Sequence, residues 1–157
     1  MEYIKIFNQT EKKKIEKKLN EQFGIKEIPG KITMRGEERL FLFTGEIDEE
    51  GIRKLEEIAP IEKIGLYFAK LINEDIKLTI EGTQILKSQI SKNIFEINDN
   101  QAEEWMMGRE LNISTGMKGF IVLKNKTTGD LLGCGKASEN KITNFIPKSR
   151  RLKNRGT

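Results

Sequence analysis

A chain of 157 residues, 33% charged and 36% hydrophobic, with mean hydropathy −0.54 and net charge +4, has room for one ordinary domain or two small ones. No apolar run approaches the ~20 residues of a membrane-spanning helix, and Met1-Glu2-Tyr3 lacks the basic start and apolar stretch of a signal peptide, so a cytoplasmic protein with no membrane partner is expected. One cysteine, Cys134, and no histidine exclude an internal disulfide, a multi-cysteine zinc site and Ser-His, Cys-His or His-metal chemistry, so neither a metal nor a cofactor is expected.

Asn8-Gln9-Thr10 precedes a charged stretch, Glu11 to Phe23, in which Ile15, Leu19 and Phe23 recur at helical spacing, with Gly24 as its stop. Its lysines read as a wet face supported by pairs such as Glu16 with its neighbours. Lys31 to Met34 and Arg39 to Phe43 read as strands flanking a hairpin turn, Arg35-Gly36-Glu37-Glu38. Asp48 is placed to cap a helix with Ile52, Leu55 and Ile58 on one face and Pro60 beyond its end. Ile64 to Ile72 is apolar enough for a buried strand. Residues 1–72 thus read as a small α+β domain, with Asn73-Glu74-Asp75 as the expected boundary.

Residues 73–157 open with a short strand, Ile76-Lys77-Leu78, and a helix capped by Thr79 that carries Ile80, Ile85 and Leu86. Gly82 lies inside that helix at a cost of about 1 kcal/mol against alanine, which calls for a packing or close-approach reason. Asn93 to Ile97 is a strand, and Asp99 is expected to cap a helix through Trp105, an edge-of-core residue, ended by Gly108. Strands follow at 119–124, 131–136 and 142–147, joined by turn residues, as a small barrel is written. Gly133 and Gly135 alternate on one face of the middle strand, marking a corner or a close approach.

Charge is uneven. Residues 1–72 hold 14 basic and 14 acidic groups, residues 73–108 hold 3 and 7, and residues 109–157 hold 11 and 3. The tail alone carries Lys148, Arg150, Arg151, Lys153 and Arg155. A basic third of this kind suits a polyanion, RNA or DNA first, or else a solubilising tail.

The stretches Gly119-Phe120-Ile121-Val122-Leu123, Gly133-Cys134-Gly135-Lys136 and Asn144-Phe145-Ile146-Pro147-Lys148 through Leu152 fit one pattern. In order and spacing, residues 76–152 resemble the PUA domain, a pseudo-β-barrel that binds structured RNA. Within that group they look like the PUA-like tail of Sun-type RNA 5-methylcytosine methyltransferases, with its Gly-x-Gly-Lys strand and Asn-x-x-Pro-Lys motif. The two-domain layout also resembles archaeal and eukaryotic pre-PUA ribosome-biogenesis proteins. The resemblance implies an α+β fold with a C-terminal pseudo-barrel over 73–157. Its RNA face would draw on Gln84, Lys87 and Ser88 of the helix, Ser91 and Lys92 of the loop, and Lys136. Lys148, Arg150 and Arg151 would follow a phosphate backbone, with Arg109 and Lys118 flanking the meander.

The catalytic half of such methyltransferases has no counterpart here. A domain for S-adenosylmethionine exceeds 72 residues, and none of Pro29, Pro60 and Pro147 precedes Cys134, which reads as a small apolar filler. Glu103, Glu104 and Asp130 show no spacing that brackets a substrate. The expected function is non-catalytic recognition of tRNA or rRNA beside a separate RNA methyltransferase or a pre-ribosomal particle. The acidic 73–108 segment keeps open an alternative, a protein-interaction adaptor whose barrel holds no RNA.

Overall fold

The structure is a computed structural model that describes residues 4–45, 48–60 and 64–153; Met1-Glu2-Tyr3 and Arg155, named above, lie outside the described residues. Helix α1 spans Gln9–Phe23 and starts two residues before the expected Glu11. Asn8 accepts a hydrogen bond from the Glu11 amide while the Glu11 carboxylate accepts from that of Asn8, so two otherwise orphaned donors find partners. The helix stops at Gly24, whose φ of +78° suits glycine. Glu16 does not serve the lysines as its described hydrogen bond; its carboxylate accepts from the Ile28 amide at 2.8 Å and pins the chain beyond the helix.

Five antiparallel strands form the first sheet in chain order: β1 (Ile4–Ile6), β2 (Lys31–Arg35), β3 (Arg39–Phe43), β4 (Leu66–Ile72) and β5 (Asp75–Leu78). Strand alternation divides β3 cleanly. Leu40 and Leu42 enter the main core, and Phe41 and Phe43 pack on the opposite face with Ile52 of α2 (Glu49–Ile58). Ile58, expected on the same face as Ile52, is 80% exposed. Six helical residues leave the two side chains about 120° apart around the axis, which puts Ile58 off the side that Ile52 buries. The stretch 73–75 is the β4–β5 junction, with Asn73 at φ +57°. The edge of β5 is covered by Gln22, whose side-chain amide donates to the Ile76 carbonyl at 3.0 Å and accepts from its amide at 2.8 Å.

Helix α3 (Ile80–Leu86) follows, capped by the Thr79 hydroxyl. Gly82 has the expected close-approach reason: a Cβ there would fall 2.0 Å from the Phe68 carbonyl oxygen. Ile85 points outward, while Leu86 is buried. The second sheet has the order β6 (Ile94–Ile97), β7 (Gly119–Asn125), β8 (Leu131–Ala137) and β9 (Ile142–Asn144), with β6 parallel to β7 and the other pairs antiparallel. Among the described residues the ladders make two open sheets and close no barrel. Helix α4 (Asp99–Met106) is capped by Asn98 rather than Asp99, through a second reciprocal box with Gln101.

The second sheet is sandwiched. Phe120, Val122 and Cys134 join the main core with Leu19, Phe23, Phe68 and Leu86, so residues from both sides of Asn73 fill it. Ile121, Leu123, Ala137 and Ile142 face a second core around Trp105. Trp105 is its centre rather than its edge: it is fully buried, its indole donates to the Leu132 carbonyl at 3.2 Å, and a Cβ on Gly135 would meet its ring.

Candidate nucleic-acid interface

The expected strand 142–147 ends at Asn144, and the reason is chemical. The Asn144 side chain donates to the carbonyls of Trp105 (2.8 Å) and Arg109 (3.0 Å) and accepts from the Ile146 amide (2.7 Å). The chain therefore leaves the ladder held against the end of α4, and Lys148 to Arg150 make one 3₁₀ turn. Arg151 then donates to the Ile146 carbonyl at 3.0 Å, its side chain lies against Gly108, and the Leu152 amide bonds the Met106 carbonyl. The first asparagine of the Asn-x-x-Pro-Lys motif thus anchors the basic segment.

The sequence-derived residues fall into separate places. Gln84 donates to the Leu131 carbonyl at 2.7 Å and lines, with Lys87, a hollow that also includes Lys124 and Asp130. Ser88 is exposed on the turn after α3. The amides of Ser91 and Lys92 both donate to the Phe23 carbonyl, and Ser91 packs so close to Gly24 that no Cβ fits there. That loop is fixed by the end of α1, and its neighbour Gln89 is held by the segment after that helix, accepting from the Lys26 and Glu27 amides and donating to the Glu27 carbonyl. Arg109 pairs with Glu104 at 2.9 Å, and Arg150 pairs with Glu81 of α3. Lys118 is exposed on the approach to β7. Lys136 is exposed on β8, opposite Phe120, with its ammonium 5.8 Å from that ring's centre.

One feature that pattern reading missed joins the two sheets. Phe120 and Phe145 lie with ring centres 6.1 Å apart, and the Lys77 ammonium stands 4.4 Å from the centre of Phe145. Burial holds the Lys77 ammonium below the usual lysine range, with help from Lys70 opposite it on β4. A cleft of about 140 Å³ opens here, lined by Tyr67, Lys77, Thr79, Glu81, Phe145 and Pro147 among others. The period-2 pattern of Ile76-Lys77-Leu78 already puts Lys77 on the outer face of its strand. Nothing local brings it to Phe145, 68 residues away.

Register extends the positive charge across the first sheet: Arg35 stands opposite Arg39, Arg39 opposite Lys70 and Lys70 opposite Lys77. Glu38 answers Lys70 at 3.4 Å. Tyr67 packs at 5.4 Å on Phe41, and burial pushes its phenol up, against the pull of Arg39. Cys134 is buried at the wall of this cleft, and burial pushes its thiol up to about 12, opposed by the Leu78 backbone and Lys77, so it is a protonated core group.

Residues 92–152 match the family described as the methyltransferase RsmF PUA domain. They resemble the PUA-like tail of Sun-type methyltransferases. Two curated relatives, each a ribosomal RNA small subunit methyltransferase F, are 30% identical to this chain. The one from Shewanella oneidensis aligns over 122 residues, 78% of this chain and 24% of the relative. The one from Psychromonas ingrahamii aligns over 129 residues, 81% of this chain and 26% of the relative. The chain therefore spans about a quarter of the length of the curated relatives it matches. Both alignments are about twice as long as the family match, so the likeness extends into the residues before Lys92.

Proposed function

We propose that this protein is a non-catalytic RNA-binding unit that grips structured RNA, tRNA or rRNA, and serves rRNA modification or ribosome biogenesis in the cytoplasm beside a methyltransferase or a pre-ribosomal particle. One coincidence carries the reading: the segment that matches the PUA domain of a ribosomal RNA methyltransferase overlaps the third of the chain with 11 cations against 3 anions. RNA affinity comes largely from cations that displace counterions from phosphates. Cys134, buried and protonated, offers no thiolate, which favours a binding role over a nucleophilic one. The barrel expected of such a domain is supported by packing: Leu78 of β5 lies at Cys134 of β8, although among the described residues no ladder joins the two sheets.

The adaptor reading draws on the pairs Arg109–Glu104 and Arg150–Glu81, which occupy two of the proposed RNA cations. Exposed pairs of this kind contribute about 0.2–1 kcal/mol, so a phosphate displaces the carboxylate at little cost. Truncation after Ile146 separates the two. Anisotropy titrations of a labelled small-subunit rRNA hairpin should show weaker binding and a shallower salt dependence on truncation. Equal binding with equal slope, together with recovery of a protein partner after nuclease treatment, selects the adaptor.

A further inference from the structure

The cleft where the two sheets meet has two aromatic residues in its lining, Tyr67 and Phe145, contributed by different halves of the chain. Phe41 backs the first ring at 5.4 Å and Phe120 the second at 6.1 Å, so neither is a free rotor. At about 140 Å³ the space is small against the 300–1,000 Å³ of ordinary small-molecule sites. It suits one flat ring rather than a whole nucleotide. Polar groups at its rim sort by charge. Lys77 lines it, Lys148 follows its Pro147, and Lys70 stands opposite Lys77, while Glu81 supplies an acceptor; the Thr79 hydroxyl is taken up by the Tyr67 carbonyl and the Gly82 amide.

We propose that this cleft takes one unstacked nucleobase of a bound RNA strand against Tyr67 and Phe145, the Lys77 ammonium moving from the Phe145 ring to one flanking phosphate and Lys148 holding the other. The inference rests on the RNA-binding reading above and names the element of RNA recognised: an unpaired position, since a base inside a duplex offers no free face. Aromatic walls accept any base, because every base has a π-face, so selectivity is for single-strandedness first. The carboxylate of Glu81, once Arg150 turns to a phosphate, is an acceptor for an exocyclic amine. This site stands apart from the α3 residues and the following loop that the family resemblance suggests, and neither half of the chain builds it alone.

The test uses the full chain with two probes, a short single-stranded RNA carrying 2-aminopurine at its centre and a blunt RNA duplex. Wild type should bind both and change the 2-aminopurine fluorescence. Phe145→Leu and Tyr67→Leu should each weaken single-strand binding about tenfold and abolish that change while leaving duplex affinity in place. Phe145→Tyr should retain the wild-type behaviour, which separates a stacking face from a packing residue. The proposal is overturned if both leucine variants match wild type on the single strand, or if Phe145→Tyr is as weak as Phe145→Leu. Wild type that binds neither probe overturns the RNA-binding reading and this inference together.

Discussion

The ammonium of Lys77 stands 4.4 Å from the centre of the Phe145 ring, a contact between the edge strand of the first sheet and the segment that leaves the second. Burial and Lys70 disfavour the charge, whereas the ring face attracts it. The Lys77 pKa measured by NMR should therefore lie below 10.5, rise in Lys70→Met and fall further in Phe145→Leu. A folded pKa below the unfolded one means that the unfolded chain binds more protons between the two values. Lys77 thus makes stability rise with pH through that window and contributes a constant cost below it.

Gly82→Ala tests the close approach of α3 to β4. Helix propensity favours alanine by about 1 kcal/mol, but the new Cβ would sit 2.0 Å from the backbone oxygen of Phe68, which cannot rotate aside. Overpacking should win by about 2 kcal/mol or more in net destabilisation, measured by urea unfolding. A neutral or stabilising change contradicts the packing described.

Asn144→Ala should act on RNA binding without removing any charge. Three hydrogen bonds hold Asn144 to the end of α4 and to Ile146. Their loss should cost about 2 kcal/mol of stability and release the segment bearing Lys148, Arg150 and Arg151. RNA affinity should fall while the number of cations stays the same. Affinity equal to wild type, under conditions where the variant is folded, contradicts an anchoring role.

Cys134 predicts an alkaline limb. The folded protein keeps the thiol proton up to about 12, whereas the unfolded chain releases it near 9.0, so stability falls as pH rises through that window. One full proton corresponds to about 1.4 kcal/mol per pH unit. Lys77 and the tyrosines also titrate in this range, so the contribution of Cys134 is read by difference: between about pH 9 and 10 the denaturation midpoint of Cys134→Ala should fall less steeply with pH than that of wild type. The native thiol should also resist a water-soluble thiol reagent. A midpoint with the same pH dependence in wild type and Cys134→Ala contradicts the burial of Cys134.

Much of this architecture is local chemistry and therefore legible in the sequence. Asn8, Asp48 and Thr79 each cap a helix through their own side chain, and Gly82 declares a close approach before the partner is known. What stayed hidden is relational. Trp105 reads as an edge residue because nothing local announces that Gly135 and Ile142 surround its ring. Asn73 to Asp75 reads as a boundary because its polarity suits a linker as well as the tight turn it forms. The basic tail is visible as composition, but its anchoring needs Asn144 to reach carbonyls 35 and 39 residues earlier. The cleft needs Tyr67, Lys77 and Phe145 together, and only the packing of one sheet on the other supplies that.

Salt dependence tests the RNA-binding claim most directly. Anisotropy of a labelled small-subunit rRNA hairpin, titrated from about 50 to 200 mM salt, reads the number of phosphates engaged. Wild type should bind with log affinity falling linearly in log salt, and Lys136→Ala/Lys148→Ala/Arg151→Ala should bind more weakly with the slope reduced by about 2. A slope that is the same in both proteins, or wild-type binding that ignores salt, contradicts the account.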